Sequence, residues 1–362
     1  MSIILTKSPY IIEVTDPSLE GGKVEIFLYK QGTTISTLPQ YTLSKLSPAS
    51  NVDSVYFDVA PYVNEFLTSK VYTINYGTVD VSTNIELFCN VLIKKYKLVG
   101  TTYTLINTDL YSAFKGYIEQ KDGINIDYGN YLLDQKTYYY HYDSSKTYDT
   151  LKAGDLTVFN SYNADIGYCN LLYKYTNLKT AATVTNTISG GRFSPRWKTI
   201  YRVYPSYWAD GNKLEIIDND TSVVVATYYF KPLEECKYSP VTLDFINKYG
   251  AWQREFLFKN STDFINTENK SYKNFRIDPS YLNVQESLVT SFNTNGNETI
   301  KCNTGFVEED FKATIKQLLL SDRILINNRP ATITTNQIEL QKNINNKLIN
   351  YALDFTFSNP II

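Results

Sequence analysis

A mainly β chain is what this sequence predicts: several β-sandwich or antiparallel-sheet modules in tandem, with one amphipathic helix packed on the C-terminal sheet. Three observations carry that reading. Period-two alternation of apolar and polar residues recurs from end to end. The chain holds 32 Tyr and 18 Phe, residue types that fit pleated, half-buried surfaces. Only one stretch has a convincing helical period. At 362 residues the chain exceeds the roughly 250–300 residues at which a single core stops growing. Three modules are therefore expected: an N-terminal β-sandwich at 1–122, a middle aromatic-rich β module at 123–235, and a C-terminal antiparallel β module at 236–362.

In the first module Val24, Ile26 and Leu28 share a face, as do Val55, Phe57 and Val59, so each set reads as a strand. Pro61 opens a short helical turn through Leu67, because proline suits the first turn of a helix. Strand-like patterning resumes at 85–99 and 103–115, and the total is close to the hundred or so residues of a β-sandwich. A turn-rich section with Gly123 and Gly129 marks the boundary near Asp122 and gives way to an aromatic strand at 138–142.

Further strands are expected at 155–159, 167–175, 198–204, 213–217 and 222–230. The last two form a hairpin turned by Asp218, Asn219 and Asp220, residue types that tolerate left-handed backbone. Lys231 and Pro232 close this section. A strand at 241–247 then turns at Lys248, Tyr249 and Gly250 into a second at 252–258. Arg254 shares a face there with Trp252, Phe256 and Phe258, which suggests a sheet edge or an interface, or an arginine stem that carries its charge out to water.

The helix is read at 307–321, where Val307, Phe311, Ile315, Leu318 and Leu319 follow the helical period and Glu308, Glu309 and Asp310 complement the N-terminal dipole. Strands at 323–327, 331–335, 337–342 and 347–357 follow. In the last, Ile349, Tyr351, Leu353, Phe355 and Phe357 fall on one face, the cleanest alternation in the chain. No short-period repeat is visible, so a solenoid or propeller is not expected.

Composition narrows the function classes. Hydrophobic residues at 43% and charged residues at 20% describe an ordinary folding chain. The formal charge of −2 is spread without a basic stripe, so direct nucleic-acid binding is not expected. Neither a signal peptide nor a membrane-spanning run is read, which predicts a soluble protein made in the cytosol with no membrane partner. Cys89, Cys169, Cys236 and Cys302 lie too far apart for a paired metal-ligand motif and are expected to be reduced, mostly buried thiols. Tyrosine abundance suits protein interfaces; an AT-rich coding sequence would produce it too, and composition does not separate the two.

Chemistry was sought and no catalytic, cofactor-binding or metal-ligating residue is assigned. The one histidine, His141, sits in an aromatic strand, which leaves no imidazole placed for a Ser-His or Cys-His pair. Gly190 and Gly191 lack the lysine and helix of a phosphate loop. Arg192, Arg196, Trp197, Lys198 and Arg202 form the one locally basic aromatic segment, read as a solvated or interfacial strand rather than a base- or sugar-stacking platform. Asp218, Asp220 and Ser222 lack the glycine and glutamate of a calcium loop. Glu234 with Glu235 and Glu308 with its neighbours are read as a turn and a helix start rather than as glycosidase carboxylates.

Three segments carry a resemblance. Tyr10, the strand Glu25, Ile26, Phe27, Leu28, Tyr29, and the run from Val55 through Pro61 to Val63 resemble the N-terminal module of β-rich virion proteins of crAss-like tailed bacteriophages. Cys236, Lys237, Tyr238, Ser239 and Pro240, followed by 243–253, are similar to those proteins' aromatic hairpin, and the closing strands at 323–357 are similar as well. The resemblance implies a subunit of an oligomeric ring in the tail or head-to-tail connector, located in the virion and assembled in the host cytoplasm. Its partners would be copies of itself and neighbouring tail or connector proteins, with no catalytic residues and no cofactor. Residues 122–187 match nothing in that family.

A structural, non-enzymatic role is therefore expected. The alternative is a carbohydrate- or receptor-binding tail protein, which would show Trp197, Tyr207 and Trp208 clustered on one exposed face. A polysaccharide-cleaving enzyme would need two carboxylates about 5–10 Å apart in an aromatic cleft.

Overall fold

The computed structural model describes residues 2–30, 33–48, 53–68, 88–126, 134–142, 156–160, 171–188, 197–201, 203–218, 221–234, 239–250, 252–273, 289–340 and 349–361. It is mainly β, with sheets built almost entirely from antiparallel pairs and two α-helices among the described residues.

The first sheet group contains β1 (Ser2–Leu5), β2 (Ile11–Thr15), β3 (Gly21–Tyr29), β4 (Tyr41–Leu46), β5 (Ser54–Asp58), α1 (Ala60–Thr68), β6 (Phe88–Val99) and β7 (Thr102–Phe114). A five-stranded sheet in the order β1-β7-β6-β3-β4 faces the two-stranded pair β2 and β5. Ile12, Val14, Val24, Ile26, Val55, Phe57, Val91 and Ile93 fill the space between them. Strands β1, β2 and β4 add to the elements expected from the sequence. The turn expected at Pro61 is a full helix: the Asp58 carboxylate accepts the Ala60 N–H (3.1 Å) and the Tyr10 N–H (3.0 Å), while Val63 and Leu67 are buried against the sheet. β1 pairs in parallel with residues 111–114 of β7 and is buried on both sides, Ile4 toward the sandwich and Ile3 and Leu5 toward Ile246, Tyr249 and Trp252.

The second group contains β8 (Thr137–His141), β9 (Leu156–Asn160), β10 (Leu171–Asn177), β11 (Thr183–Ile188), β12 (Trp197–Tyr201), β13 (Asn212–Asp218) and β14 (Val223–Leu233). The expected hairpin of β13 and β14 is present; Asn219 and Asp220 lie outside the described residues. β14 runs past Pro232, because there its neighbour is β8, paired in parallel, and β13 has already ended opposite Phe230. A missing N–H on that side breaks no ladder bond. The core is aromatic: Tyr138, Tyr140, Tyr173, Tyr175, Tyr228 and Phe230 pack around Leu214 and Ile216.

The third group contains β15 (Val241–Ile246), β16 (Trp252–Leu257), β17 (Thr262–Lys273), β18 (Val289–Asn303), α2 (Phe311–Leu319), β19 (Ile324–Ile326), β20 (Arg329–Ile333) and β21 (Ala352–Phe357). They form one seven-stranded sheet, β16-β15-β19-β20-β21-β18-β17. The predicted face of Ile349, Tyr351, Leu353, Phe355 and Phe357 is buried against Phe311, Ile315 and Leu318 of α2.

Five features of this group differ from expectation. The helix begins at Phe311 rather than 307, because Val307 is held in an isolated bridge by Ile349, its N–H 2.9 Å from the Ile349 carbonyl. No strand forms at 337–340, and the last strand starts at Ala352. Arg254 does not carry its charge to water: it is buried and makes two 2.7 Å bonds to the buried Asp244 directly across the β15/β16 pair. The paired strands β17 and β18, which form the longest ribbon in this sheet, were not expected at all.

Candidate assembly surfaces

The sites weighed from sequence are largely structural. Cys89 and Cys302 are buried free thiols. Burial pushes both upward, Cys302 to about 12 with the help of Asp263 and Asp354. Cys169 and Cys236 lie outside the described residues, as do Gly190, Gly191, Arg192, Arg196, Arg202 and Glu235. His141 ends β8, half-buried. Among the described residues no three His, Cys, Asp or Glu side chains gather as a metal set, and no helix is long and apolar enough to cross a membrane.

Tyr207 and Trp208 are buried rather than displayed. The Tyr140 hydroxyl donates to the Trp208 carbonyl, the two rings meet edge-on at 5.4 Å, and the Tyr207 hydroxyl donates to the Ala182 carbonyl at 3.2 Å. These side chains are core. The side chain of Trp197 lies outside the described residues.

The acidic run before α2 does more than face a helix dipole. Asp310 accepts the Lys136 N–H (2.9 Å), and Glu308 accepts from Thr137 (3.1 Å), Tyr139 (3.3 Å) and Lys231 (3.1 Å). Burial opposes charge on Glu308, but the Lys231 ammonium and the two hydroxyls outweigh it and hold the carboxyl below its ordinary range. The opposite effect raises the Tyr139 phenol to about 12 through burial and the Glu308 charge. Along the polar face of α2, Thr314 donates to Gln135 and Gln317 donates to Asp134 at 2.9 Å. The helix is thus a strut: its apolar side holds the third sheet and its polar side grips 134–137.

Among the described residues two surfaces stand out as open. One is a ribbon. β18 pairs with β21 at 299–303, and among the described strands β17 is the one that pairs with 289–298. At about 3.3 Å per residue this two-stranded stretch is roughly 30 Å long. Every residue of β17 is exposed. Phe264 and Ile265, adjacent and hence on opposite faces, are both exposed, as are Tyr272 and Phe292, whose rings meet at 5.8 Å. A bulge at Glu268/Lys270, opposite Asn293 in left-handed backbone, twists the outer part. Ile361 reaches back to it, its N–H 2.7 Å from the Gly296 carbonyl.

The other is a groove of about 310 Å³ between β2 and β7, lined by 10–15 together with Lys95, Ile106, Asn107, Tyr111 and Asn125. The ladder register decides what β2 presents. Tyr10 and Asp16 bond toward the β5 side, through Val59 and Asp53, so by alternation the N–H and C=O groups of Ile11, Glu13 and Thr15 point away from β5. Asn125, in left-handed backbone, occupies the first of these rungs. Its side-chain oxygen accepts the Ile11 N–H at 2.8 Å and its amide nitrogen donates to the Ile11 carbonyl at 2.6 Å. The Glu13 and Thr15 rungs face the groove with no paired strand among the described residues. On the opposite wall β1 covers only 111–114 of β7, and 102–109 are exposed or nearly so. The floor is polar: Lys95 pairs with Asp109 at 2.7 Å. Hydrogen bonds from Ser54, Thr15 and Tyr56, with the Lys95 charge, hold the Glu13 carboxyl below its ordinary range.

Comparison with family models, with curated proteins and with solved structures finds no match to this chain.

Proposed function

We propose that this chain is a structural subunit of a virion, part of an oligomeric ring in the tail or head-to-tail connector of a tailed phage. It acts by protein-protein assembly and not by catalysis, with copies of itself and neighbouring tail or connector proteins as partners.

The observation that carries assembly is the β17/β18 ribbon, in which β17 is exposed throughout and has no further strand beside it among the described residues. A two-stranded ribbon is marginal in water on its own, and an unpaired, aromatic edge left bare is a template for uncontrolled pairing. A defined neighbour removes both problems. Head-to-tail contacts between unlike surfaces close into a ring when the rotation closes. The virion setting rests on the resemblance of 25–29, 55–63, 243–253 and 323–357 to crAss-like virion proteins. The burial of Tyr207 and Trp208 removes two thirds of the aromatic platform that a glycan-binding role would have used.

The mass of the purified protein, measured by light scattering or native mass spectrometry beside negative-stain images, tests this. Closed rings of many subunits are the expected result. A chain that stays monomeric up to high concentration counts against it.

A further inference from the structure

We propose that the outer end of the β17/β18 ribbon of one copy seats in the groove between β2 and β7 of the next, its free β17 edge pairing with the Glu13 and Thr15 rungs of β2. This inference rests on the assembly reading and names the two surfaces that meet.

Four features make the surfaces complementary. Both are unpaired strand edges, and strand addition supplies main-chain bonds to each. Among the described residues the facing layers of the N-terminal sandwich are unequal: two strands, β2 and β5, lie against five. Adding the ribbon beside β2 yields a four-stranded layer, β5-β2-β17-β18, and covers the stretch of β7 that β2 and β5 do not reach. Charge agrees as well. Within 269–273 and 289–297 the ribbon carries Lys270 and Lys273 and no acid, whereas the groove lining holds Glu13, and its Lys95 is already paired with Asp109. Finally, the amide of Asn269 and the hydroxyl of Ser271 suit a floor made of Asn107, Asn125 and an ion pair. Asn125 already shows how the β2 edge is used, since its side-chain amide bonds Ile11 as a neighbouring strand would.

The two surfaces lie on different parts of the chain, so each copy offers one ribbon and one groove, and the contact is heterologous. That permits a test by complementation. Glu13→Pro removes an outward N–H without touching the β5 ladder, and Glu13→Lys opposes the ribbon lysines while leaving the backbone intact. Lys270→Glu with Lys273→Glu blocks the ribbon. With folding checked by circular dichroism, each full-length variant alone is expected to stay monomeric in native mass spectrometry where the unsubstituted chain assembles. Mixed one to one, groove-blocked and ribbon-blocked chains form a heterodimer of twice the chain mass, because one intact ribbon meets one intact groove. Glu13→Lys combined in one chain with both lysine reversals restores assembly.

If the unsubstituted chain assembles but either blocked variant does so equally well, or the mixture stays monomeric, this pairing is wrong while the assembly reading stands. Ribbon-to-ribbon contact gives the first pattern, because groove-blocked chains keep their ribbons and assemble as before. An unsubstituted chain that never assembles overturns both.

Discussion

Gly116 and Gly250 cross backbone against backbone where the N-terminal sandwich meets the turn between β15 and β16. A Cβ on Gly116 would stand 2.5 Å from the Lys248 carbonyl oxygen, and one on Gly250 would stand 2.7 Å from the Lys115 carbonyl carbon. Neither obstacle is a side chain that could swing aside. The Tyr117 N–H donates to the Lys248 carbonyl at 2.8 Å across the same crossing, and Ile3, Leu5, Phe114, Ile246, Tyr249 and Trp252 close around it.

Gly250→Ala is expected to be the more damaging substitution. Its φ of +79° adds about 1–2 kcal/mol of left-handed strain to an overpacking cost of about 1–3 kcal/mol. Gly116→Ala bears the overpacking cost alone. Gly100→Ala, also at positive φ but with nothing near its Cβ, isolates the backbone contribution. Urea unfolding should rank the losses with Gly250 first. Equal losses at Gly100 and Gly250 would show that the crossing contributes nothing.

Arg254→Met should cost about 3–5 kcal/mol, because it strands the fully buried Asp244 carboxylate without its partner. Replacing both, as Asp244→Leu with Arg254→Met, should recover most of that loss, since burying the pair is itself expensive. Denaturant midpoints of the two single variants and the double variant decide it. A double variant no better than Arg254→Met would mean that the pair stabilises the fold on its own account.

Acid should loosen the contact between α2 and Glu119, which lies shortly after β7. Hydrogen bonds from Lys316 and Lys121 hold Glu119 down at about 2, against an ordinary value near 4.5. A carboxyl depressed on folding contributes stability that is complete above the unfolded value and is lost as pH falls toward the folded one. The stability gap between the native chain and Glu119→Gln should therefore be full at pH 6 and shrink between about pH 4.5 and 2. Urea titrations at pH 6 and pH 3 measure it, and a gap that does not change with pH removes Glu119 from the account.

Cys89 and Cys302 should resist alkylation in the folded chain at pH 8. Both are buried, and burial keeps their thiols protonated well above that pH, while only the thiolate reacts. Peptide mapping after iodoacetamide treatment, with and without urea, follows the labelling of these two. Rapid labelling of Cys89 in native buffer would mean that the N-terminal sandwich opens readily.

What local pattern encodes was legible, and what depends on a neighbour was not. The alternations at Val24, Ile26, Leu28 and at Ile349 through Phe357 could be read because one side of each strand meets a core, which forces apolar residues to every second position. The helix was legible from Phe311, Ile315 and Leu318 for the same reason. Thr314 and Gln317, equally buried, were not, because their partners Asp134 and Gln135 lie some 180 residues away in the chain. β17 and the first part of β18 escaped because 262–273 and 289–295 meet no core that would write a period into the sequence, and the buried Ile300 and Cys302 of β18 are too few to do so; only their Thr, Phe, Ile and Tyr content hinted at strand.

By itself, then, the sequence determined the β class, the apolar faces of the core strands, and the presence of a helix beside the C-terminal sheet, since each follows from short-range spacing. Only the tertiary structure decided that Arg254 is paired within the sheet, that Tyr207 and Trp208 are core, and that one end of the chain offers a ribbon and the other a groove. Those outcomes depend on which unpaired edges and charges the fold brings together or leaves apart, and strand spacing holds no information about either.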